Sequence, residues 1–276
     1  MELIIFDLDG TLLNREGEIS PYTRDTLHQL SAQGIAYTVA TGRTLHASRD
    51  ILKGHGFRLP QIFKNGVMIW DPRTEDYSHR NFLTAAEIQH AFEAILAQGI
   101  TPFIFTLEPG NRHTIYHPPL QTEVEERLAK DFASRRGVDV LPASMMPSDA
   151  EITNISALGL PAGVDAIESM VESEAHLVAY AGAALEGAKL KWIDIHHIGA
   201  SKGGAIDILR SQLAASKVVC FGDSENDLSM FARADESYAP DNAKAEVKAA
   251  ASAVIGHHDS DGIAHFLRQR FKLAED

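Results

Sequence analysis

Short apolar runs alternate with amphipathic segments in the first part of the chain. Leu3 to Phe6 is unbroken apolar sequence, the pattern of a strand buried on both faces of a parallel sheet. A helix is predicted from its N-cap Ser20 to about Gly34, followed by a strand over 35–40 and a short strand beginning at Ile62. Strands and helices joined by short links predict right-handed crossovers and a parallel sheet.

The pattern changes in the middle of the chain. Strand-like runs and helical spacings there do not alternate regularly, which is typical of an α+β arrangement. From Lys202 the strand and helix alternation returns, with a strand predicted over 218–221. The sequence therefore predicts an α/β fold, in which a doubly wound parallel-sheet core formed by residues 1–80 and 191–276 is interrupted by an inserted α+β domain, residues 81–190.

Charge and composition narrow the classes of function. The 276 residues include 38 acidic and 25 basic side chains, a net charge of −13, so nucleic acid is an unfavourable partner. No apolar stretch approaches the roughly 20 residues that span a bilayer, and no export signal is recognisable. We therefore expect a soluble, cytoplasmic protein that does not bind membranes. An anionic substrate would need positive charge supplied by the site itself.

Four polar clusters follow predicted strands or begin predicted helices. They are Asp7-Leu8-Asp9-Gly10, Thr41-Gly42-Arg43, Ser201-Lys202-Gly203, and Gly222-Asp223-Ser224-Glu225-Asn226-Asp227. In doubly wound sheets, ligands bind beyond the carboxyl ends of the strands. We therefore expect the four clusters to converge at that edge.

Asp7 and Asp9 would point to the same face if the strand continued through them. On its own, an Asp-x-Asp sequence is more often a solvated loop or a helix cap. At the end of a buried strand, however, an uncompensated pair is costly, and Asp223 at another strand end adds a third carboxylate. Three hard oxygen donors are suited to Mg²⁺, whose charge would compensate them.

The other clusters favour an anion. Thr41 supplies a hydroxyl donor, and Gly42 permits close approach of backbone amides. Lys202 precedes two glycines, an arrangement that favours backbone access, although a solvated surface lysine is the commoner case. Asn65 either shapes the floor of a pocket or forms a plain turn.

Other reactive side chains are expected to be structural. Cys220 lies in an apolar run and is predicted to be a core residue. The pairs His196-His197 and His257-His258 invite a metal interpretation, but adjacent strand residues face opposite sides and no matching ligands stand nearby. We expect surface histidines.

With these motifs assembled, the chain resembles the haloacid dehalogenase-like superfamily, specifically the Cof-type phosphatases with a type IIB cap. The matching motifs, in family order, are Asp7 to Leu12, Thr41-Gly42-Arg43, Lys202-Gly203 and Gly222 to Met230. The resemblance implies a Rossmann-like core, with the insertion 81–190 as a cap that closes over the site.

The resemblance also implies roles for single residues. Asp7 would be the nucleophile that forms an aspartyl-phosphate, and Asp9 the general acid and then the base. Mg²⁺ would be held by Asp7, Asp223 and the backbone carbonyl of Asp9, with Asp227 holding the metal-bound waters. The residues expected at the phosphate or substrate are Gly10, Thr41, Gly42, Arg43, Lys202 and Asn226. Arg43 has two open interpretations, contact with the phosphate or substrate and an ion pair with an acidic surface residue.

The leading hypothesis is a Mg²⁺-dependent phosphatase acting on small phosphorylated metabolites, such as sugar phosphates or phosphorylated cofactors. One alternative is a phosphosugar mutase or another phosphotransferase, in which a sugar hydroxyl captures the phosphoryl group. Another is a non-catalytic phosphate-binding module, against which the presence of Asp9 argues. The sequence selects neither the ester nor the oligomeric state.

Overall fold

The computed structural model describes residues 1–135, 138–184 and 189–274. They form two compact units, one of residues 1–80 with the chain from Ala200 onwards, the other of residues 81–199. The first unit therefore resumes at Ala200 and not at Lys191 as the sequence indicated. The reason is that the strand Lys191–His197 pairs with two strands of the second unit.

Within the described residues the strands are β1 (Glu2–Phe6), β2 (Ala36–Val39), β3 (Gln61–Phe63), β4 (Met68–Asp71), β5 (Asp76–Arg80), β6 (Phe103–Glu108), β7 (Arg112–His117), β8 (Asp139–Pro142), β9 (Glu151–Gly159), β10 (Leu177–Ala183), β11 (Lys191–His197), β12 (Lys217–Phe221), β13 (Glu236–Pro240) and β14 (Ala253–Ile255). The helices are α1 (Pro21–Ala32), α2 (Leu45–Leu52), α3 (Gln89–Ala97), α4 (Glu123–Arg135), α5 (Pro161–Val171), α6 (Lys202–Gln212), α7 (Leu228–Phe231), α8 (Ala245–Ala250) and α9 (Gly262–Phe271). In that part of the chain, no helix is both long and apolar enough to cross a membrane.

A five-stranded parallel sheet forms the centre of the first unit, in the order β14-β13-β12-β1-β2. The apolar residues of β1, Leu3 to Phe6, are fully buried, as a central strand of a parallel sheet requires. The predicted parallel-sheet core is thus confirmed.

The third predicted strand behaves differently. β3 meets the end of β2 through a single parallel bridge between Ala40 and Ile62. It otherwise pairs antiparallel with β4, which pairs with β5 to complete a three-stranded sheet. The sequence prediction did not include this hairpin of β4 and β5.

The register of the parallel sheet brings the strand ends together. Phe6, the last residue of β1, pairs with Phe221 on one side and with Val39 on the other. The chain therefore leaves β1, β12 and β2 at one level of the sheet edge. The polar clusters that begin at Asp7 and Gly222 start at this level, and Thr41 follows two residues after Val39.

Helix α6 brings the remaining cluster to the first unit. Its N-cap Ser201 accepts a hydrogen bond from the Gly204 amide at 3.0 Å, so that Lys202 occupies the first helical position. Ile206 and Leu209, farther along the helix, pack into the core beside β1 and β12. Cys220 lies fully buried in this same core, as predicted.

The second unit contains a six-stranded sheet in the order β10-β11-β9-β6-β7-β8, antiparallel except for the pair β7 and β8. Helices α3 and α5 pack on one face, and Phe132 of α4 packs against Phe103 and Phe105. This is the predicted α+β insertion. His196 on β11 is fully buried, so the surface position predicted for it is wrong.

The contact between α6 and α7 should tolerate no extra atom at Gly203. A Cβ added there would lie 2.2 Å from the backbone carbonyl oxygen of Ser229. Gly203→Ala should therefore reduce the free energy of unfolding by about 2 kcal/mol, the usual cost of overpacking. Thermal unfolding measures the loss. Ser211→Ala, near the exposed end of the same helix, is the control and should leave the Tm nearly unchanged. Equal Tm values for both variants would contradict the tight contact.

Candidate active site

The first two acids differ in their surroundings. β1 ends at Phe6, and a single wide turn follows in which the Leu13 amide donates to the Leu8 carbonyl at 2.9 Å. Asp7 at the start of this turn is 6% exposed, whereas the side chain of Asp9 is 58% exposed. The two residues do not continue the strand. The condition under which they would share a strand face is therefore not met.

Lys202 lies between two buried carboxylates. Its Nζ donates to Oδ1 of Asp7 and to Oδ1 of Asp227, both at 2.6 Å. Lys202 and Asp227 have no exposed surface. The three side chains come from the turn after β1, from α6 and from the segment after β12, so the pairing joins distant parts of the first unit.

Asp227 is held through both carboxylate oxygens. Its Oδ2 accepts hydrogen bonds from the backbone amides of Asp223 and Ser224, at 2.9 and 3.0 Å, while Oδ1 accepts from Lys202. An acid committed in this way is better suited to supporting a metal site than to binding the ion directly.

Asp223 is oriented by two hydroxyl groups. Thr11 Oγ1 donates to its Oδ1 at 3.0 Å, and Ser224 Oγ donates to its Oδ2 at 3.1 Å. Neither Thr11 nor Ser224 was predicted to have a role, although both lie within the sequence motifs. Thr11 fixes the direction of a carboxylate that comes from another strand end, and Ser224 that of its neighbour in the chain.

The acids of this cluster can hold a cation together. Asp7, Asp223 and Asp227 each offer an oxygen within 4.8 Å of the others, and they face one ammonium group, that of Lys202. Three negative charges against one positive leave an excess of two, which matches a divalent cation. Carboxylate oxygens are the ligands that Mg²⁺ prefers.

The pKa shifts have the same cause. Burial raises the pKa of Asp7 well above its usual range, and the nearby Asp227 and Asp223 add to the rise although Lys202 opposes it. Burial and the charge of Asp227 also raise the pKa of Asp223. Burial alone would lower the pKa of Lys202, but Asp227 and Asp7 outweigh it and raise that pKa. Too little positive charge surrounds these carboxylates in the fold, so the residues fit a bound cation.

Arg43 forms a two-pronged ion pair with Asp9. Its Nε donates to Asp9 Oδ2 at 2.7 Å and its Nη2 to Asp9 Oδ1 at 2.5 Å. The hydrogen bond to Asp9 raises the pKa of the guanidinium. Of the two interpretations left open by the sequence, the structure shows the ion pair, and the partner is the acid of the first motif.

Thr41 and Asn226 are linked through Asn65. The backbone carbonyl of the buried Thr41 accepts a hydrogen bond from the backbone N–H of Asn65 at 3.0 Å. The side-chain Nδ2 of Asn226 donates to the side-chain Oδ1 of Asn65 at 2.9 Å. The Oγ1 of Thr41 accepts from the Arg43 amide at 3.1 Å, which leaves the hydroxyl proton available for an anion. Gly42 lies between these two residues in the loop.

Gly10 is fixed from the far end of the chain. Its carbonyl accepts a hydrogen bond from Asn242 Nδ2 at 2.7 Å, and Asn242 Oδ1 accepts from the His258 amide at 3.1 Å. Asn242 therefore ties the first motif to the segments around β14. Its position directly after β13 was the signal that it borders the same sheet edge.

The chain is similar to known proteins in sequence and in fold. A family model described as haloacid dehalogenase-like hydrolase matches residues 4–267. Phosphatase YwpJ of Bacillus subtilis is 27% identical, with 97% of this chain and 99% of that protein covered. An HMP-PP phosphatase of Yersinia pestis is 26% identical, with 96% and 93% covered. A haloacid dehalogenase-like hydrolase of Bacteroides thetaiotaomicron has the same fold, with a TM-score of 0.78, 21% identity and 98% and 99% covered. These findings confirm the predicted family and fold.

Mg²⁺ should stabilise the protein against heat. A ligand present at a hundred times its Kd contributes about 2.7 kcal/mol, and Mg²⁺ meets the excess negative charge of the cluster. Asp223→Asn should abolish this stabilisation. Without metal the same variant should unfold at a higher temperature than the wild type, because one of the repelling buried carboxylates is removed. Thermal unfolding with and without Mg²⁺ measures both effects.

The pH dependence of this stabilisation follows from the raised pKa values of Asp7 and Asp223. In the metal-free fold burial and the neighbouring acids raise both pKa values, so the contribution of these groups to stability is lost as the pH rises through the raised pKa values. Metal binding needs the carboxylates, so the gain from Mg²⁺ should shrink as the pH falls.

The control for Asp223→Asn is Asp50→Asn, a change at an exposed residue, which should keep the full Mg²⁺ effect. A Mg²⁺ effect that survives in Asp223→Asn would contradict the site.

Proposed function

The chain belongs to the family of haloacid dehalogenase-like hydrolases, and from this premise we propose that it is a Mg²⁺-dependent phosphatase of small phosphomonoesters. The observation that carries the proposal is the buried Asp7, held 2.6 Å from Lys202 beside Asp223 and Asp227. Buried carboxylates with an ammonium group and space for a cation suit phosphoryl transfer, which requires positioning and charge stabilisation.

Asp7 acts as the nucleophile in this proposal. A carboxylate oxygen of Asp7 attacks phosphorus, an O–P bond forms, and the ester P–O bond breaks. Lys202 holds the carboxylate in place and offsets charge that gathers on the phosphoryl oxygens. Bound Mg²⁺ would be held by Asp7, Asp223 and the Asp9 carbonyl, and it would neutralise further charge on the transferred group.

Asp9 moves the protons. It gives a proton to the departing alkoxide, and then takes one from the water that attacks the aspartyl-phosphate, which releases phosphate and restores Asp7. Its exposed side chain suits this exchange with substrate and water. The Arg43 pair must open for the transfer, and the phosphoryl group of the substrate offers Arg43 a competing pair of oxygens. Substrate binding thereby frees the Asp9 carboxylate, which takes up a proton from solvent before it acts as the acid.

The phosphoryl oxygens are bound by Thr41, Lys202 and Asn226. The Thr41 hydroxyl and the Asn226 amide come from two loops joined through Asn65, and both keep a donor hydrogen beyond the bonds described above. Gly10 and Gly42 keep the backbone close to this position.

The substrate class we propose is a small phosphorylated metabolite, a sugar phosphate or a phosphorylated cofactor, handled in the cytoplasm. The relative named HMP-PP phosphatase supports a metabolite over a macromolecule. We propose that the inserted unit, residues 81–199, acts as the cap that selects among such esters.

A panel of phosphorylated metabolites tests the proposal. Phosphate release should require Mg²⁺ and disappear in Asp7→Asn, which preserves the shape of the side chain but not the nucleophile. Analysis of the organic products distinguishes the alternatives, since a phosphotransferase would yield isomerised ester without free phosphate. Release of no phosphate and formation of no new ester would instead favour a binding module and overturn the enzyme proposal.

The separate tasks of the two acids should appear with p-nitrophenyl phosphate, whose leaving group departs without a proton. Asp9→Asn should still phosphorylate Asp7, but water attack would lack its base. We expect a rapid burst of one equivalent of nitrophenolate, followed by turnover reduced about 10²- to 10⁴-fold. Asp7→Asn should show no burst. Steady turnover at the wild-type rate in Asp9→Asn would show that Asp9 carries no proton.

A further inference from the structure

The turn after β3 has an unusual backbone. Three consecutive residues have positive φ, Lys64 at 51°, Asn65 at 54° and Gly66 at 101°. Only glycine adopts this region freely, and asparagine tolerates it better than most residues. Asn65 is also 5% exposed. Such a conformation persists only where its surroundings determine it, so the contacts of the turn are informative.

The backbone of the turn fixes the loop of the second motif. The Lys64 amide donates to the Arg43 carbonyl at 3.1 Å, and the Asn65 amide donates to the Thr41 carbonyl at 3.0 Å. These bonds set the path of the chain from Thr41 to Arg43. The Thr41 hydroxyl and the Arg43 guanidinium therefore start from a framework that the turn holds.

The side chain of the turn fixes the fourth motif. Asn65 Oδ1 accepts from Asn226 Nδ2 at 2.9 Å. A primary amide carries two N–H bonds, so one is engaged by Asn65 and the second has its direction set. Asn226 belongs to the short helical segment Glu225–Asp227, which also carries the acid bonded to Lys202.

The end of the turn contacts the third motif. A Cβ added to Gly66 would lie 2.2 Å from the carbonyl oxygen of Ser201, the N-cap of α6. Only glycine allows this approach of two backbones. The turn thus contacts the residue directly before Lys202 as well as the loops of Thr41 and Asn226.

We propose that Asn65 is the positioning residue of the phosphate-binding site: it aligns the amide of Asn226 with the hydroxyl of Thr41 so that both donate to one phosphoryl group. This inference rests on the proposed function. Of the two interpretations of Asn65 from the sequence, the floor of a pocket and a plain turn, this inference favours a functional turn. Asn65 acts through Asn226 and contacts no reacting atom in this proposal.

The test uses Asn65→Gly, which keeps the left-handed backbone and removes only the amide. Asn226→Ala and the double variant complete a cycle. The matched control is Glu75→Gly, another non-glycine residue with positive φ, exposed in the turn between β4 and β5 of the first unit. The measurements on the full chain are kcat and KM for an ester that the wild type hydrolyses, inhibition by inorganic phosphate, and the Tm with and without Mg²⁺.

Asn65→Gly should raise KM and the inhibition constant of phosphate about tenfold, with a smaller change in kcat. The Mg²⁺-induced rise in Tm should be kept, because Asn65 contacts none of the carboxylates. The double variant should bind the ester and phosphate no more weakly than Asn226→Ala alone, because both substitutions remove the same contact between Asn65 and Asn226. Glu75→Gly should leave all values unchanged.

Three results would overturn the inference. The first is unchanged KM and phosphate inhibition in Asn65→Gly. The second is multiplication of the two single effects, about a hundredfold in the double variant, which would mean independent roles. The third is a lowered Tm together with loss of the Mg²⁺-induced rise in Tm, which would mean general damage to the fold.

Failure of the proposed function gives a different result. If the wild-type protein releases no phosphate from any ester, the proposal that it is a phosphatase fails. The positioning role of Asn65 can then still be tested by the binding of inorganic phosphate, which is measured as a change in Tm. Phosphate stabilisation that is weakened in Asn65→Gly would support the positioning role, and stabilisation equal in both proteins would overturn it.

Discussion

The buried ammonium group of Lys202 is the constraint on which the first unit depends. Its Nζ lies 2.6 Å from carboxylates of both Asp7 and Asp227; Lys202 and Asp227 have no exposed surface, and Asp7 is 6% exposed. A buried ion pair with one partner missing costs several kcal/mol. Since Asp7 and Lys202 are 195 residues apart in the chain, both segments of the first unit must fold together.

Charge balance then accounts for the rest of the site. One ammonium among three carboxylates leaves room for a divalent cation, and the raised pKa values of Asp7 and Asp223 follow from the same shortage. A phosphate ester brings further negative charge to a protein whose net charge is already −13. Arg43 supplies positive charge at the exposed side of the site, where it pairs with Asp9. Attraction of the substrate is therefore local.

The sequence predicted what strand ends and local motifs determine. The apolar runs of β1 and β12 ended at Phe6 and Phe221 as predicted, and the parallel register brought Asp7, Gly222 and Thr41 to one edge. It did not reveal which unit contains β11, since a strand of seven residues looks alike in either sheet. Partners distant in sequence were also beyond it. Asn242 reaches Gly10 across 232 residues by a hydrogen bond that no local pattern records.

The different surroundings of Asp7 and Asp9 follow from where β1 stops. A strand that continued two residues farther would have placed both acids on one face, with the same burial and the same charge problem. The turn that replaces it leaves Asp7 buried against Lys202 and exposes Asp9 to Arg43. In the proposed mechanism Asp7 is the nucleophile, which needs a fixed position, whereas Asp9 carries protons and must exchange with both substrate and water. One change of backbone direction provides both conditions with a single intervening residue.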